Sequence, residues 1–219
     1  MSVSSSSTVR VIIADDHPVV RAGLSAILSG HPQIRVVGEV GDGASLLQAL
    51  AKTPADVAIL DFGMPGREGL ALLRHVRNKA PGLRIIVCSM YDPSIYAKRA
   101  LQLGAYAFLE KNVAPTQLVA TVLAAAASPV TAPPPPAKAS TEPPHTQLSD
   151  RQFEVFALLV QGLSVTEISN KLHLSIKTVS THKVAVQRRL GAHSVVDLVK
   201  YATAHGLIDP QAAIRREAA

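Results

Sequence analysis

The sequence has little cysteine and no long hydrophobic run. Its single cysteine, Cys88, cannot form an internal disulfide, and no group of cysteines and histidines has the spacing of metal ligands. This usage is typical of proteins in a reducing cytosol. The longest apolar stretch, residues 118–127, is far too short to span a bilayer, and the serine-rich residues 1–8 lack the order of a signal peptide. We therefore expect a cytoplasmic protein with no membrane segment.

Glycine-rich nucleotide-binding loops are also missing. Residues 38–43 do not form a G-x-G-x-x-G, and no G-x-x-x-x-G-K-[ST] occurs. Cys88 lies in a predicted buried strand, where packing is a more natural role than nucleophilic catalysis. These absences argue against the common nucleotide-binding folds.

Positive charge is in excess and is unevenly placed. The chain of 219 residues has a formal net charge of +6, and residues 171–200 contain six basic residues but one acidic residue. Such a stretch favours an anionic partner, although a solvated helix face has the same composition. Since 47% of the residues are hydrophobic, we expect packed cores rather than global disorder.

Prolines divide the chain into two parts. They are concentrated in residues 128–147, with four in a row at 133–136. Proline lacks an amide donor and interrupts helices, so we expect an extended, semi-rigid linker here. The predicted domains are residues 9–127 and residues 148–211.

The first predicted domain alternates apolar runs with amphipathic segments. The predicted strands are 9–14, 34–40, 55–60, 83–88 and 105–109. The predicted helices are 19–28, 44–50, 70–76, 94–103 and 116–126. Alternating elements of this kind predict an α/β fold, a doubly wound parallel sheet of five strands that binds its ligand at the carboxyl ends of the strands.

The second predicted domain is smaller and entirely helical. The predicted helices are 150–161, 165–172, 176–190 and 195–204. Serines stand where N-caps belong, at Ser149, Ser164, Ser175 and Ser194. Glycines follow three of the helices, at Gly162, Gly191 and Gly206.

Polar residues follow four of the predicted strands. Asp15 and Asp16 come after the first strand, Asp61 after the third, Ser89 after the fourth and Lys111 after the fifth. In a parallel sheet these side chains converge on one edge, where clustered carboxylates favour a bound cation such as Mg²⁺. An acceptor carboxylate, a metal site, a hydroxyl and a fixed cation are the parts that phosphoryl transfer needs.

Each of these residues also has a plainer interpretation. The acidic pair could cap the following helix, Ser89 could be a core hydroxyl, and Lys111 could be a surface lysine. A phosphatase with an aspartyl intermediate would carry a second acid two residues after Asp61, and Gly63 stands there. The joint placement at four strand ends favours the phosphoryl-transfer site.

These residues lie in segments that resemble the receiver family of two-component signalling, whose fold is flavodoxin-like. The matching segments are IIADDHP at 12–18, LDFGMPG at 60–66, VCSM at 87–90 and GAYAFLEK at 104–111. The resemblance covers residues 9–127 and implies that Asp61 is the phospho-acceptor. It also implies that Asp16, Asp61 and the carbonyl of Gly63 ligate Mg²⁺, with Asp15 acting through water.

The same resemblance implies which residues respond to phosphorylation. Ser89 would bond the phosphoryl group, Lys111 would pair with it, and Phe108 would be the rotating aromatic switch. The donor would be a sensor histidine kinase, so the protein would not be an enzyme beyond taking part in its own phosphorylation and dephosphorylation. Phosphorylation would produce a homodimer through the first and last receiver helices, where the candidate contacts are Val20, Leu24, Leu118 and Val122.

The predicted helix 176–190 has a basic face opposite its apolar face. At about 100° per residue, the polar side carries cations, short hydroxyls and one small apolar residue, which suits the major groove of double-stranded DNA. With the preceding helix and a tight turn it forms a helix-turn-helix. The candidate DNA contacts are Lys177, Thr178, Ser180, Thr181, Lys183, Val184 and Arg188. An ordinary helical bundle with a polar face remains the alternative.

This domain resembles the LuxR-type DNA-binding domain of NarL/FixJ regulators. The matching segments include GLS at 162–164, EIS at 167–169, KTVSTHK at 177–183 and LG at 190–191. Residues 175–183 most resemble the branch that controls capsule synthesis and virulence. Ser180 stands where many members carry lysine, so the base preference should differ from theirs.

The sequence therefore predicts a transcription factor switched by aspartyl phosphorylation. One rival is a phosphorelay or protein-interaction module whose helical domain binds protein. A second rival is a DNA-binding protein regulated without phosphate, which the complete acidic pocket disfavours. Steep salt dependence would distinguish DNA binding from protein binding.

Overall fold

The computed structural model describes residues 8–64, 69–129 and 143–208 of the chain. They form an N-terminal and a C-terminal compact unit. Within these residues, no helix combines the length and the apolar character that a bilayer crossing requires.

The N-terminal unit is built on a five-stranded sheet. Its strands are β1 (Val9–Ala14), β2 (Ile34–Val40), β3 (Val57–Leu60), β4 (Arg84–Ser89) and β5 (Ala107–Glu110). They lie in the order β2-β1-β3-β4-β5, and every neighbouring pair is parallel. The predicted doubly wound parallel sheet is confirmed.

Five helices connect and cover these strands. They are α1 (Pro18–Ser29), α2 (Gly43–Lys52), α3 (Gly69–Lys79), α4 (Pro93–Gln102) and α5 (Pro115–Ala127). Proline supplies the first turn of α1 and of α5, because its missing amide is not needed there. All four residues of β3 are buried, which is typical of a strand with helices on both faces of the sheet.

Strand boundaries differ from the prediction by one or two residues. β5 begins at Ala107 because the amide of Ala105 donates to the Ala100 carbonyl and so belongs to the turn that ends α4. Gly104 makes this turn possible with φ +95°, a conformation that favours glycine.

Three of the four predicted dimer contacts are wrong, and the fourth, Val20, is only partly accessible. Leu24, Leu118 and Val122 are buried in the core of the N-terminal unit, and Val20 packs against the same cluster. The apolar sides of the two helices that carry these residues face inward. The exposed sides carry mainly small residues instead, namely Ala22, Gly23 and Ala26 on α1 and Ala120, Ala124 and Ala127 on α5, together with Val19 at the start of α1, which is 84% exposed.

Over the described residues 143–208, the C-terminal unit contains four α-helices. They are α6 (Asp150–Val160), α7 (Val165–Lys171), α8 (Ile176–Leu190) and α9 (Val195–Ala204). All four predicted serine caps are confirmed, since each serine side chain accepts an amide hydrogen bond in the first turn of its helix. Gly191 ends α8 in the left-handed conformation, with φ +66°.

The end of the predicted linker is structured. Pro144–Gln147 form a 3-10 helix, and the buried His145 lies beside Tyr201 of α9. Prolines at the start of a short helix are compatible with it, so a proline count alone did not separate this turn from an extended spacer. The rest of that linker, residues 130–142, lies outside the described residues.

Candidate functional sites

The acidic residues of the N-terminal unit lie at the carboxyl edge of the sheet. Ala14, the last residue of β1, pairs with Leu60, the last residue of β3. The next residues, Asp15 and Asp61, therefore leave the sheet side by side, and the Asp61 amide donates to the Ala14 carbonyl at 2.8 Å. Both carboxylates are buried.

Lys111 joins the two carboxylates. Its Nζ lies 2.7 Å from Asp15 Oδ2 and 2.8 Å from Asp61 Oδ2, and its side chain is 8% exposed. Burial acts to lower the pKa of Lys111, but the hydrogen bonds that Lys111 donates to Asp15 and Asp61 outweigh this effect and raise the pKa above its ordinary value. Lys111 is therefore a fixed cation, not a surface lysine.

The site still has an excess of negative charge. Asp15, Asp16, His17 and Asp61 each place one ligand atom within 4.8 Å of the others. The three carboxylates and the charged Lys111 together carry a formal charge of −2. Asp16 Oδ1 is buried and makes no hydrogen bond of good geometry, although His17 Nδ1 lies 2.8 Å away. Oxygen donors with excess negative charge fit a hard divalent cation.

Ser89 is the last residue of β4 and is fully buried. The Lys111 amide donates to the Ser89 carbonyl at 3.2 Å, which links the serine to the lysine through the backbone. The hydroxyl accepts the Tyr91 amide at 3.4 Å. Ser89 thus belongs to the same edge as Lys111, as predicted from the strand ends.

Gly63 lies close to the carboxylate of Asp61. A Cβ at this position would lie 3.3 Å from Asp61 Oδ2, which is a tight contact. Glycine therefore leaves the space beside this oxygen free.

Phe108, the predicted switch residue, is half-buried on β5. Its ring meets Phe62 in an edge-to-face contact, with centroids 5.8 Å apart and planes at 79°. Phe62 directly follows Asp61, so the aromatic pair connects β5 with the loop that carries the acidic residue.

Two residues of this site were missed in the sequence. His17 follows the acidic pair, and its backbone amide donates to Asp15 Oδ1 at 2.8 Å. Arg21 donates from its guanidinium to the Asp15 carbonyl at 2.5 Å. A Cβ at Gly41 would lie 3.5 Å from this guanidinium. His17 directly follows the acidic pair in the sequence, and this position could have identified it as a site residue. The arginine contact could not be identified in this way, because it depends on how α1 leaves the sheet.

Cys88 is a buried residue that packs in the core. Burial raises the pKa of its thiol to about 11, so it is protonated at neutral pH. The expectation that it is not a nucleophile agrees with this environment.

Helix α8 presents the expected polar face in the C-terminal unit. Lys177, Thr181, Val184 and Arg188 are all exposed, and Val184 is 52% exposed. The opposite side is anchored by the buried Val179 and Val186. A small apolar residue exposed among cations and a hydroxyl is suited to contact with base edges.

The remaining candidate contacts are half-buried. Thr178 Oγ1 lies 2.7 Å from Ser175 Oγ in the cap of α8, which ties this hydroxyl to the helix start. Ser180 and Lys183 flank the exposed face. Burial lowers the pKa of the neighbouring His182, with a further contribution from Arg151, so His182 is not a phosphate-binding cation at neutral pH.

The turn between α7 and α8 has a fixed geometry. Ser169 Oγ donates to the Leu174 carbonyl at 2.7 Å. His173 adopts φ +50°, the one non-glycine residue with positive φ among the described residues. This close turn is the connection that a helix-turn-helix requires.

Two families match the two units. Residues 11–123 match the response regulator receiver domain, and residues 146–202 match the bacterial regulatory proteins of the luxR family. The fimbriae Z protein of Salmonella typhimurium is 32% identical over 205 residues, covering 90% of this chain and 98% of that protein.

Solved structures are also similar over most of the chain. RcsB of Salmonella enterica serovar Typhimurium, bound to promoter rprA in the presence of phosphomimetic BeF3-, is 30% identical with a TM-score of 0.61, covering 90% of this chain and 98% of that one. A structure of two RcsB dimers bound to two parallel DNAs is 34% identical with a TM-score of 0.60, covering 89% and 98%.

Proposed function

The chain belongs to the NarL/FixJ family of DNA-binding response regulators, and we propose that a sensor histidine kinase phosphorylates it on Asp61. The observation that carries this proposal is the position of Lys111 Nζ between Asp15 and Asp61. It makes Asp61 a buried carboxylate with a fixed cation beside it at the edge of a parallel sheet. Ligands of such sheets bind at this edge.

The proposed reaction is a phosphoryl transfer between two side chains. A carboxylate oxygen of Asp61 forms a bond to phosphorus as the bond from phosphorus to the donor imidazole nitrogen breaks. The imidazole leaves neutral once a proton has been taken up, and Asp61 becomes an acyl phosphate. Lys111 neutralises charge on the phosphoryl oxygens, and Ser89 donates a hydrogen bond to one of them.

We assign Mg²⁺ to the acidic cluster. Asp16, Asp61 and the Gly63 carbonyl would ligate the ion, with Asp15 acting through water, and the ion would neutralise charge on the phosphoryl oxygens. The excess negative charge of the cluster supports this assignment, as does the buried Asp16 Oδ1, which makes no hydrogen bond of good geometry. These residues make the receiver a participant in its own phosphorylation and dephosphorylation, without turnover of a separate substrate.

Ser89 and Phe108 would change position in response to phosphorylation. Movement of the Ser89 hydroxyl towards the phosphoryl group would vacate the space that the Phe108 ring then enters. The edge-to-face contact with Phe62 gives the ring a defined starting position.

The C-terminal unit would bind double-stranded DNA through α8 in the major groove. Lys177, Lys183 and Arg188 would contact phosphates, while Thr181 and Val184 would face base edges, with Ser180 at the flank and Thr178 at the helix start. The proposed limits are residues 9–127 for the receiver, 128–147 for the linker and 148–211 for the DNA-binding domain. As a regulator of transcription, the protein would act in the cytoplasm.

We further propose that the phosphorylated chain is a homodimer on DNA. The exposed sides of α1 and α5 carry no charged residue. Small residues permit close approach of two helices, so this surface fits a second copy better than the buried leucines do. The dimers of the related RcsB on DNA support this arrangement.

Labelling of Asp61 tests the proposal. With acetyl phosphate and Mg²⁺, the intact mass of the wild-type protein should increase by one phosphoryl group, and Asp61→Asn should abolish the increase. Asp56→Asn is the matched control, because Asp56 lies on the opposite edge of the sheet, paired with Arg10, and should label as wild type. Undiminished labelling of Asp61→Asn would refute the assignment.

A further inference from the structure

The imidazole of His17 belongs to the acidic cluster geometrically. Its Nδ1 lies 2.8 Å from Asp16 Oδ1 and 3.3 Å from Asp15 Oδ1. A ring nitrogen of His17 also lies within 4.8 Å of a ligand oxygen of Asp61. His17 is the one nitrogen donor among the four ligand groups of this cluster.

The backbone explains why the imidazole stays there. His17 is the N-cap residue of α1 and has an extended conformation, with φ −88° and ψ 109°. Its amide is held by Asp15 Oδ1 at 2.8 Å, and its carbonyl accepts the Arg21 amide in the first turn. Pro18 follows and restricts the backbone further. The side chain is 63% exposed, so it borders the solvent-facing side of the cluster.

We infer that His17 is a metal ligand and that the site accepts a late first-row transition metal ion through one imidazole nitrogen. This inference rests on the metal site proposed above. Mg²⁺ takes oxygen ligands and keeps its water molecules, so it gains little from an imidazole. Ions such as Co²⁺ bind imidazole readily. The His17 nitrogen therefore favours Co²⁺ over Mg²⁺ at a site whose other donors are oxygens.

Selectivity provides the first test. In the full-length chain we expect His17→Ala to weaken Co²⁺ binding about 10-fold, the lower end of what a lost metal-site partner costs, while Mg²⁺ affinity changes less than about 2-fold. His17→Gln should behave as His17→Ala, because it restores a polar side chain without the imidazole. His193→Ala is the matched control: its histidine is exposed in the C-terminal unit. Calorimetric titration with each metal measures all four proteins.

A direct readout of the ligand provides the second test. Cu²⁺ bound to the wild-type protein should show an imidazole ¹⁴N coupling in electron spin echo spectra, and His17→Ala should remove it while His193→Ala retains it. Absence of the coupling in the wild type, or its persistence in His17→Ala, would overturn the inference. Equal loss of Co²⁺ and Mg²⁺ affinity in His17→Ala would also overturn it.

These outcomes are distinguishable from failure of the proposed function. If Asp61 is labelled in Mg²⁺ but no ¹⁴N coupling appears, His17 is not a ligand and the phospho-acceptor assignment stands. If neither labelling nor metal binding occurs, both proposals fail together.

Discussion

Replacing Asp16 with asparagine should stabilise the protein when no metal is present. The three carboxylates of the cluster place ligand atoms within 4.8 Å of one another, and Lys111 bonds two of them, Asp15 and Asp61. Asp16 has no such bond, and its Oδ1 is buried without a hydrogen bond of good geometry. Asp16→Asn therefore removes repulsion without breaking the lysine bridge.

The size of the effect follows from the distances. At the 4.8 Å limit of the cluster, two like charges repel by about 1 kcal/mol in water and by about 3.5 kcal/mol at an effective dielectric constant of about 20. The Asp16 side chain is 29% exposed, so each of its two repulsions lies between these values. Attraction to Lys111 offsets part of the sum. We expect a net gain of about 1 to 2 kcal/mol in the free energy of unfolding.

Thermal unfolding in EDTA and in excess Mg²⁺ measures the stability of the variant without and with the metal. In EDTA, Asp16→Asn should melt several degrees above wild type. Mg²⁺ should stabilise the wild type by about 2.7 kcal/mol at 100 times its dissociation constant, and should stabilise Asp16→Asn far less. Glu39→Gln removes an exposed carboxylate on β2 and should change neither value. A variant that melts at or below wild type in EDTA would refute the electrostatic reasoning.

Three further predictions concern DNA binding, assembly and the lifetime of the phosphoryl group. Arg188→Ala should weaken DNA binding on every sequence and reduce the magnitude of the slope of log affinity against log salt concentration by about 0.9. Thr181→Val should instead change the sequence preference. Unchanged gel shifts for both variants would reject α8 as the recognition helix. The phosphorylated protein should dimerise and Ala26→Glu should keep it monomeric, so a wild-type phosphoprotein that is monomeric in light scattering, free and on DNA, contradicts the dimer. Gly63 lies two residues after Asp61 and Tyr91 two residues after Ser89, so both would flank a water that attacks the phosphoryl group. Gly63→Asn combined with Tyr91→Glu should therefore speed loss of phosphate by placing polar groups near that water. Equal decay of the wild type and the double variant on phosphate-affinity gels would show that neither position controls hydrolysis.

Local signals made much of the fold predictable. The serine caps of α6 to α9 and Gly191 at the end of α8 act within one turn of helix, so residue type and spacing were sufficient. The strand ends were predictable because a parallel sheet brings all its carboxyl ends to one edge. This topology alone predicts that Asp15, Asp61 and Lys111 lie together.

Features that depend on packing were not predictable in the same way. Helix α5 is rich in alanine and has no charged residue, so its pattern does not show which apolar residues face inward. Leu118 and Val122 were therefore assigned to a surface although they are buried. The 3-10 helix at Pro144–Gln147 is too short for a periodic signal, and the contact of Arg21 with the Asp15 carbonyl exists only after α1 has folded against the sheet.

Phosphorylation-dependent DNA binding tests the central claim most directly. Fluorescence anisotropy with a labelled DNA duplex from a bound genomic site would measure affinity before and after treatment with acetyl phosphate and Mg²⁺, for the wild type and for Asp61→Asn. The account predicts that phosphorylation increases the affinity of the wild-type protein and leaves the affinity of Asp61→Asn unchanged. An equal increase in both proteins, or none in a wild-type protein shown by mass to be phosphorylated, would contradict it.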